Sequence, residues 1–226
     1  MKKVAIFVEG MTEQKFVVMF LTEWFSSLGI QVQLAKQFQG RVILQTLPTS
    51  PSNTVTYVMV VDCANDDQVM TQIRDQYQTL SNSGYTAVIG LRDVYPKTHA
   101  EMALLRLGLQ KSLPKGPLMA EIHLAEMEVE AWFIAETTHF ARISPKLTVE
   151  RIAKGGIDLN VPCESWPQPA ETLRKIYKLE GFAYKKTAKS VDRTIVALSR
   201  TELAITVIPA VRSISEFVNA LASAVS

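Results

Sequence analysis

Thr54-Val55-Thr56-Tyr57-Val58-Met59-Val60-Val61-Asp62 is the stretch on which the fold turns. From 54 to 61 every residue but Met59 is β-branched or aromatic, and the apolar run is continuous instead of alternating. A strand of that kind is buried on both faces, as parallel strands are. Residues 4–8, Val-Ala-Ile-Phe-Val, read the same way and stop at Glu9-Gly10. Between the two runs, Thr12 opens a helical pattern of Phe16, Phe20, Trp24 and Leu28, with Gly29 as its stop signal. Residues 30–38 alternate weakly and read as a strand, and 40–53, rich in Pro and Ser towards its end, as a surface excursion. After Asp62 come a helical stretch over 66–80, a strand over 85–91 closing on Arg92-Asp93, and a helix over 99–113 broken by Pro114-Lys115-Gly116-Pro117. A last strand over 118–124 runs into the acidic segment Glu126-Met127-Glu128-Val129-Glu130-Ala131-Trp132-Phe133.

Strand and helix alternate throughout, which predicts a doubly wound, mostly parallel α/β sheet. Beyond 137 the strand signals fade, and 149–154, 169–179, 187–198 and 213–224 look helical. The expected organisation is an α/β core over 1–136 and a C-terminal α-helical appendage over 137–226, packed on the core.

The composition fits a packed core. Of 226 residues 47% are hydrophobic and 20% charged, which excludes disorder as the main state. Cys63 and Cys163 read as free thiols, too few for a disulfide framework or a cysteine zinc site. No run reaches the ~18 apolar residues of a membrane span. The opening Met1-Lys2-Lys3 meets Glu9 after five apolar residues, so it reads as a strand and not an export signal. These features predict a cytoplasmic protein without a membrane partner; a protein partner or homo-oligomer stays open. Phosphate-loop, dinucleotide and nucleophile-elbow motifs are missing, which demotes those enzyme classes.

The net charge of +2 hides an asymmetry. Residues 1–170 carry 15 Lys+Arg against 17 Asp+Glu, whereas 171–200 carry 8 against 3. Such a surplus reads either as a solvated helix face or as a contact for a nucleic-acid backbone.

Ligands of open α/β sheets bind outside the carboxyl ends of the strands. Three strand ends here carry an acid, Glu9, Asp62 and Asp93, and a fourth leads into Glu126, Glu128 and Glu130. Clustered carboxylates repel unless a cation sits among them, and oxygen ligands without His or Cys favour Mg²⁺ or Mn²⁺. If 126–136 were one helix, Glu126 and Glu130 would share a face with Glu128 nearly opposite; if the strand continued, all three would share a side. Within the acidic set, Glu9 is the group expected to have a raised pKa, because it leaves an apolar strand.

Val8-Glu9-Gly10-Met11-Thr12-Glu13, straight after an apolar strand, resembles the glutamate motif of Toprim domains, with Val60-Val61-Asp62 matching their later aspartate. Leu91-Arg92-Asp93-Val94-Tyr95-Pro96, the segment Glu128–Phe133 and Tyr184-Lys185 are together similar to a prokaryotic Toprim-like family of unknown function, related to overcoming-lysogenization-defect nucleases. The chain departs from the Toprim Asp-x-Asp pattern, because Ala64 stands where the second aspartate belongs. The resemblance implies a Toprim-like fold and a Mg²⁺-dependent (or Mn²⁺-dependent) nuclease of phage defence or a mobile element. Glu9, Asp62, Asp93, Glu128 and Glu130 would hold the metal. Glu9 would also act as base, and Lys185 would neutralise a phosphate. Nucleic acid would meet the 171–200 stretch. The alternative is a non-catalytic binding or regulatory subunit of the same fold.

Overall fold

A computed structural model describes residues 1–46 and 53–226. In chain order the elements are β1 (Lys2–Val8), α1 (Met11–Met19), β2 (Ile30–Phe38), β3 (Arg41–Leu44), β4 (Thr56–Asp62), α2 (Asp66–Asn82), β5 (Ala87–Asp93), α3 (His99–Ser112) and β6 (Met119–Ala125). Helices follow: α4 (Glu130–Ala135), α5 (His139–Ile143), α6 (Val149–Lys154), α7 (Pro169–Lys178), α8 (Ala188–Ala197), α9 (Arg200–Glu202), α10 (Ile208–Ala210) and α11 (Arg212–Val225). By compactness the chain forms two units: 1–92 with 103–124 and 216–226, and 93–102 with 125–215. The division does not fall at 136/137. The acidic segment after β6 packs with the helices that follow it, and the end of α11 returns to the sheet unit.

The sheet unit holds six strands in the order β3-β2-β4-β1-β5-β6. β4 runs parallel to both β1 and β2, and β1 parallel to β5, so the α/β, mostly parallel reading stands. The run quoted at the outset is indeed central: Val58, Val60 and Val61 are fully buried, as are residues 4–8 of its neighbour. The exception is β3, antiparallel to β2, where the sequence suggests an excursion. Gln39 (φ 49°) and Gly40 (φ 75°) join Phe38 to Arg41 in the double positive-φ turn that suits a two-residue hairpin, and Arg41-Val-Ile-Leu then pairs as a strand. The rest of the Pro- and Ser-rich stretch, 47–52, lies outside the described residues.

The first helix is shorter than its periodicity. It widens into a π-turn at Phe20–Trp24 and then tightens into a 3₁₀ turn at Ser26–Leu28, and Gly29 ends it at φ 61°. A Cβ on Gly29 would stand 2.2 Å from the Asn53 carbonyl oxygen, so the stop is set by space as well as by conformation. Gln14 is buried on α1, and its Nε2 donates to the carbonyls of Ala35 and Val60 at 2.9 Å each, pinning the helix to two adjacent strands.

In the helical unit Tyr177, Tyr184, Phe140 and His139 pack edge to face or tilted. His139 Nε2 meets the Tyr177 hydroxyl at 3.0 Å, and burial pulls its pKa down to about 4, so it is a neutral core residue. Glu136, also buried, accepts from Arg142 and from the amide of Ser199 at the start of α9. Among the described residues no single helix is long and apolar enough to cross a membrane.

Replacing Gln14 by Leu strips two strand carbonyls of a donor inside the sheet. The cost should be about 1–3 kcal/mol, read as a fall in melting temperature of about 2–4 °C per kcal/mol; an unchanged melt would refute the pinning role.

Candidate metal centre

The helical unit contains Asp93, Glu128 and Glu130 as one buried group, each offering a carboxylate oxygen within 4.8 Å of the others. The convergence starts from the backbone. Val94 N donates to Ala125 O and Tyr95 N to Met127 O, so the chain beyond β5 lies beside the chain beyond β6. Met127 then turns at φ 65°, and Glu130 opens α4. Because a turn intervenes between strand and helix, neither the all-helix nor the all-strand geometry for the glutamates applies. Glu128 and Glu130 fall together, with Asp93 beside them.

Each acid is also tied to the scaffold. Asp93 Oδ1 accepts from Val129 N at 3.1 Å, one residue before α4. Glu128 Oε2 accepts from Ala170 N at 2.8 Å and so caps α7, whose own N-cap, Gln168, makes no side-chain cap bond. Glu130 Oε1 accepts from the buried Tyr184 hydroxyl at 2.8 Å. The Lys186 ammonium lies 3.2 Å from Glu128 Oε1 and 3.2 Å from Glu130 Oε1. Glu130 Oε2 is buried without a hydrogen-bond partner. Burial is the main force raising the Glu130 pKa and Glu128 adds to it; Lys186 and the Tyr184 hydroxyl oppose the rise. Sequence alone names Glu9 for that part, from its apolar strand; deep burial assigns it to Glu130 among the three.

Glu9 and Asp62 belong to the sheet unit. Val8 pairs with Asp62 across β1 and β4, so these two strand ends are neighbours. Asp62 Oδ1 accepts from Ala64 N at 2.8 Å in a turn where Ala64 has φ 68°, and its Oδ2 lies 3.7 Å from Lys36 Nζ. Burial, Asp62 and Glu9 together raise the pKa of the Cys63 thiol, which stays protonated. Asp67 pairs with Arg92 at 3.3 Å.

The lysine at the acids is Lys186, with Lys185 exposed beside it; the Lys185 amide donates to Ser190 Oγ. A signal for Lys186 was present in the sequence. In an extended segment residues i and i+2 share a side, so a Tyr184 turned inward carries Lys186 with it, and the positive φ of Lys186 (51°) completes the turn. Three oxygen donors without His or Cys suit a hard cation. An octahedral Mg–O shell of ~2.1 Å spans ~4.2 Å between opposite oxygens, so small side-chain shifts would close the group around an ion.

In the cation-free protein, a raised Glu130 pKa means a stabilising contribution that is complete below the ordinary value of 4.5 and is lost as pH rises through the raised value. Glu130→Gln should therefore be the more stable chain at pH 8 in EDTA, with the gap closing towards pH 4. Urea melts across that range check it, and a variant less stable at pH 8 would contradict the burial argument. Lys186→Met removes the counter-charge, so it should lower the melting temperature in EDTA and enlarge the rise on adding Mn²⁺.

No family model matches the chain, and no curated protein matches it. One solved structure is similar, that of a candidate cell surface hydrolase from Lactobacillus plantarum, at 13% identity and a TM-score of 0.32. The match covers 67% of this chain and 63% of that one, so the chain spans less than two thirds of the neighbour's length. None of these findings is Toprim, and the Toprim resemblance is withdrawn. Its motifs were short: an acid after a buried parallel strand, then a turn, arises wherever such a strand must stop, and at Asp62 the acid caps that turn.

Proposed function

We propose that the chain is a divalent-cation-dependent phosphodiester hydrolase acting on nucleic acid, with Mg²⁺ or Mn²⁺ held by Asp93, Glu128 and Glu130. The observation that carries the reading is geometric: three buried carboxylates offer oxygens within 4.8 Å of one another, and a Glu130 oxygen beside them, Oε2, is buried without a hydrogen-bond partner. An uncompensated buried charge costs several kcal/mol, and a bound ion removes that cost. A hard divalent ion there would supply charge neutralisation at phosphate oxygens and a coordinated water of lowered pKa.

The remaining tasks fall to the chain itself. The Tyr184 hydroxyl fixes Glu130 Oε1, which leaves Oε2 as the oxygen available to a ligand. Asp93 and Glu128 are held in place by the amides of Val129 and Ala170, so their positions are set before any ligand arrives. The Lys186 side chain is 40% exposed while its ammonium touches the acids, so it can present positive charge to an incoming phosphate.

A second reading has its own support. The amide bonds to Asp93 and Glu128 and the Lys186 bridge also describe a clamp that holds α4, α7 and the 184–186 segment together, without catalysis.

Mn²⁺ at about a hundred-fold over its Kd should raise the melting temperature by about 5–10 °C, and the same protein should cleave a labelled oligonucleotide. Asp93→Asn and Glu130→Gln should lose both effects. A Mn²⁺-induced rise without cleavage would favour the clamp, and no rise at all would sink the metal centre.

A further inference from the structure

Two hollows flank α7. The first, of ≈ 660 Å³, lies among Arg151, Gly155, Trp166, Thr172, Lys175 and Lys178. The second, of ≈ 440 Å³, lies among Arg174, Lys178, Phe182, Tyr184 and Lys185. Both volumes fall in the ~300–1,000 Å³ range of ligand sites. Lys178 lines both, so a path from one hollow to the other passes that side chain.

Their chemistry repeats. Each hollow pairs cations with one half-buried aromatic side chain, Trp166 in the first and Phe182 in the second. Arg151 and Arg174 are matched by Glu180 and Glu171. Among the described residues Lys175, Lys178 and Lys185 make no ion pair within 4.0 Å, so three ammonium groups stand uncompensated along the path. Arg193 sits 5.0 Å from the Phe182 ring centroid, bracing that ring against the helix behind it. The second hollow is one side chain away from the acids. Tyr184 lines it, and the same side chain donates to Glu130 at 2.8 Å.

We infer that this path binds a single strand of nucleic acid, with unstacked bases at Trp166 and Phe182 and backbone phosphates at Lys175, Lys178 and Lys185. Alternating charge and π-face, repeated along a groove, matches the alternating phosphate and base of one strand. A duplex keeps its bases stacked inside and has no use for the aromatic walls. The inference rests on the phosphodiester reading and names its substrate class.

The test is fluorescence anisotropy of the full chain, in EDTA so that nothing is cleaved, with a labelled 15-residue oligo-dT and a hairpin duplex. The single strand should bind at least ten-fold tighter. Its affinity should fall with salt at a log–log slope of ~0.7 per contacted phosphate, and Lys178→Met should flatten that slope by about 0.7. Phe182→Leu and Trp166→Ala should each weaken binding by about 5- to 150-fold, as loss of one base stack does, with little change in slope. Trp166→Phe, which keeps a ring, should recover most of the loss and guards against a folding defect. Equal or tighter duplex binding, no single-strand binding, or indifference to Lys178→Met and Phe182→Leu would overturn the path. Tight single-strand binding without Mn²⁺-dependent cleavage would leave the path standing and defeat the hydrolase. Cleavage of duplex with no single-strand preference would do the reverse.

Discussion

Carboxylates cannot be buried side by side without something to answer their charge, and the helical unit is organised around that constraint. Glu130 is fully buried, Asp93 and Glu128 nearly so, and one ammonium, that of Lys186, reaches two of the three. Repulsion and lost hydration each act to expel such a group or to protonate it. The chain answers with amide donors at Asp93 and Glu128, and with a tyrosine hydroxyl and an ammonium at Glu130. What is left over is one buried carboxylate oxygen, Glu130 Oε2, without a hydrogen-bond partner.

Local structure follows from the same demand. The positive-φ turn at Met127 takes the chain from β6 towards α4, and Glu128 and Glu130 both lie beyond it, beside Asp93. α7 begins where the Glu128 carboxylate can receive its amide, in place of the cap that Gln168 does not provide. The 184–186 segment turns at Lys186 so that phenol and ammonium arrive together. These segments are far apart in sequence and share one electrostatic object, which couples the helical unit's packing to its chemistry.

The sheet was legible because its signal is local. Uninterrupted runs of apolar and β-branched residues at 4–8 and 54–61 point to buried parallel strands, and they are central here. β3 was missed because its pairing depends on two positive-φ residues, Gln39 and Gly40, of which only the glycine advertises itself. At the site, residue types were legible and grouping was not. Asp93, Glu128 and Glu130 were singled out with Glu9 and Asp62 because all follow strands, yet sequence pattern cannot say which acid will be desolvated and which will cap a turn. Lys186 is hard to tell from its neighbour for a related reason: two adjacent lysines look alike in sequence, and only the folded chain brings one ammonium to the acids.

Asp62 and Glu130 both sit where a strand has ended, and both have a lysine near them. Asp62, though buried, places one oxygen on the Ala64 amide and faces Lys36 with the other, so both of its oxygens are answered. Glu130 shares a lysine with a second carboxylate and keeps one oxygen out of contact with any donor. The difference between a structural acid and a candidate ligand therefore lies in whether its charge is fully answered at its depth of burial. By that criterion, the acidic residue next to a buried strand is a weak signal of function. An acidic pair that must share its counter-ion is a stronger one.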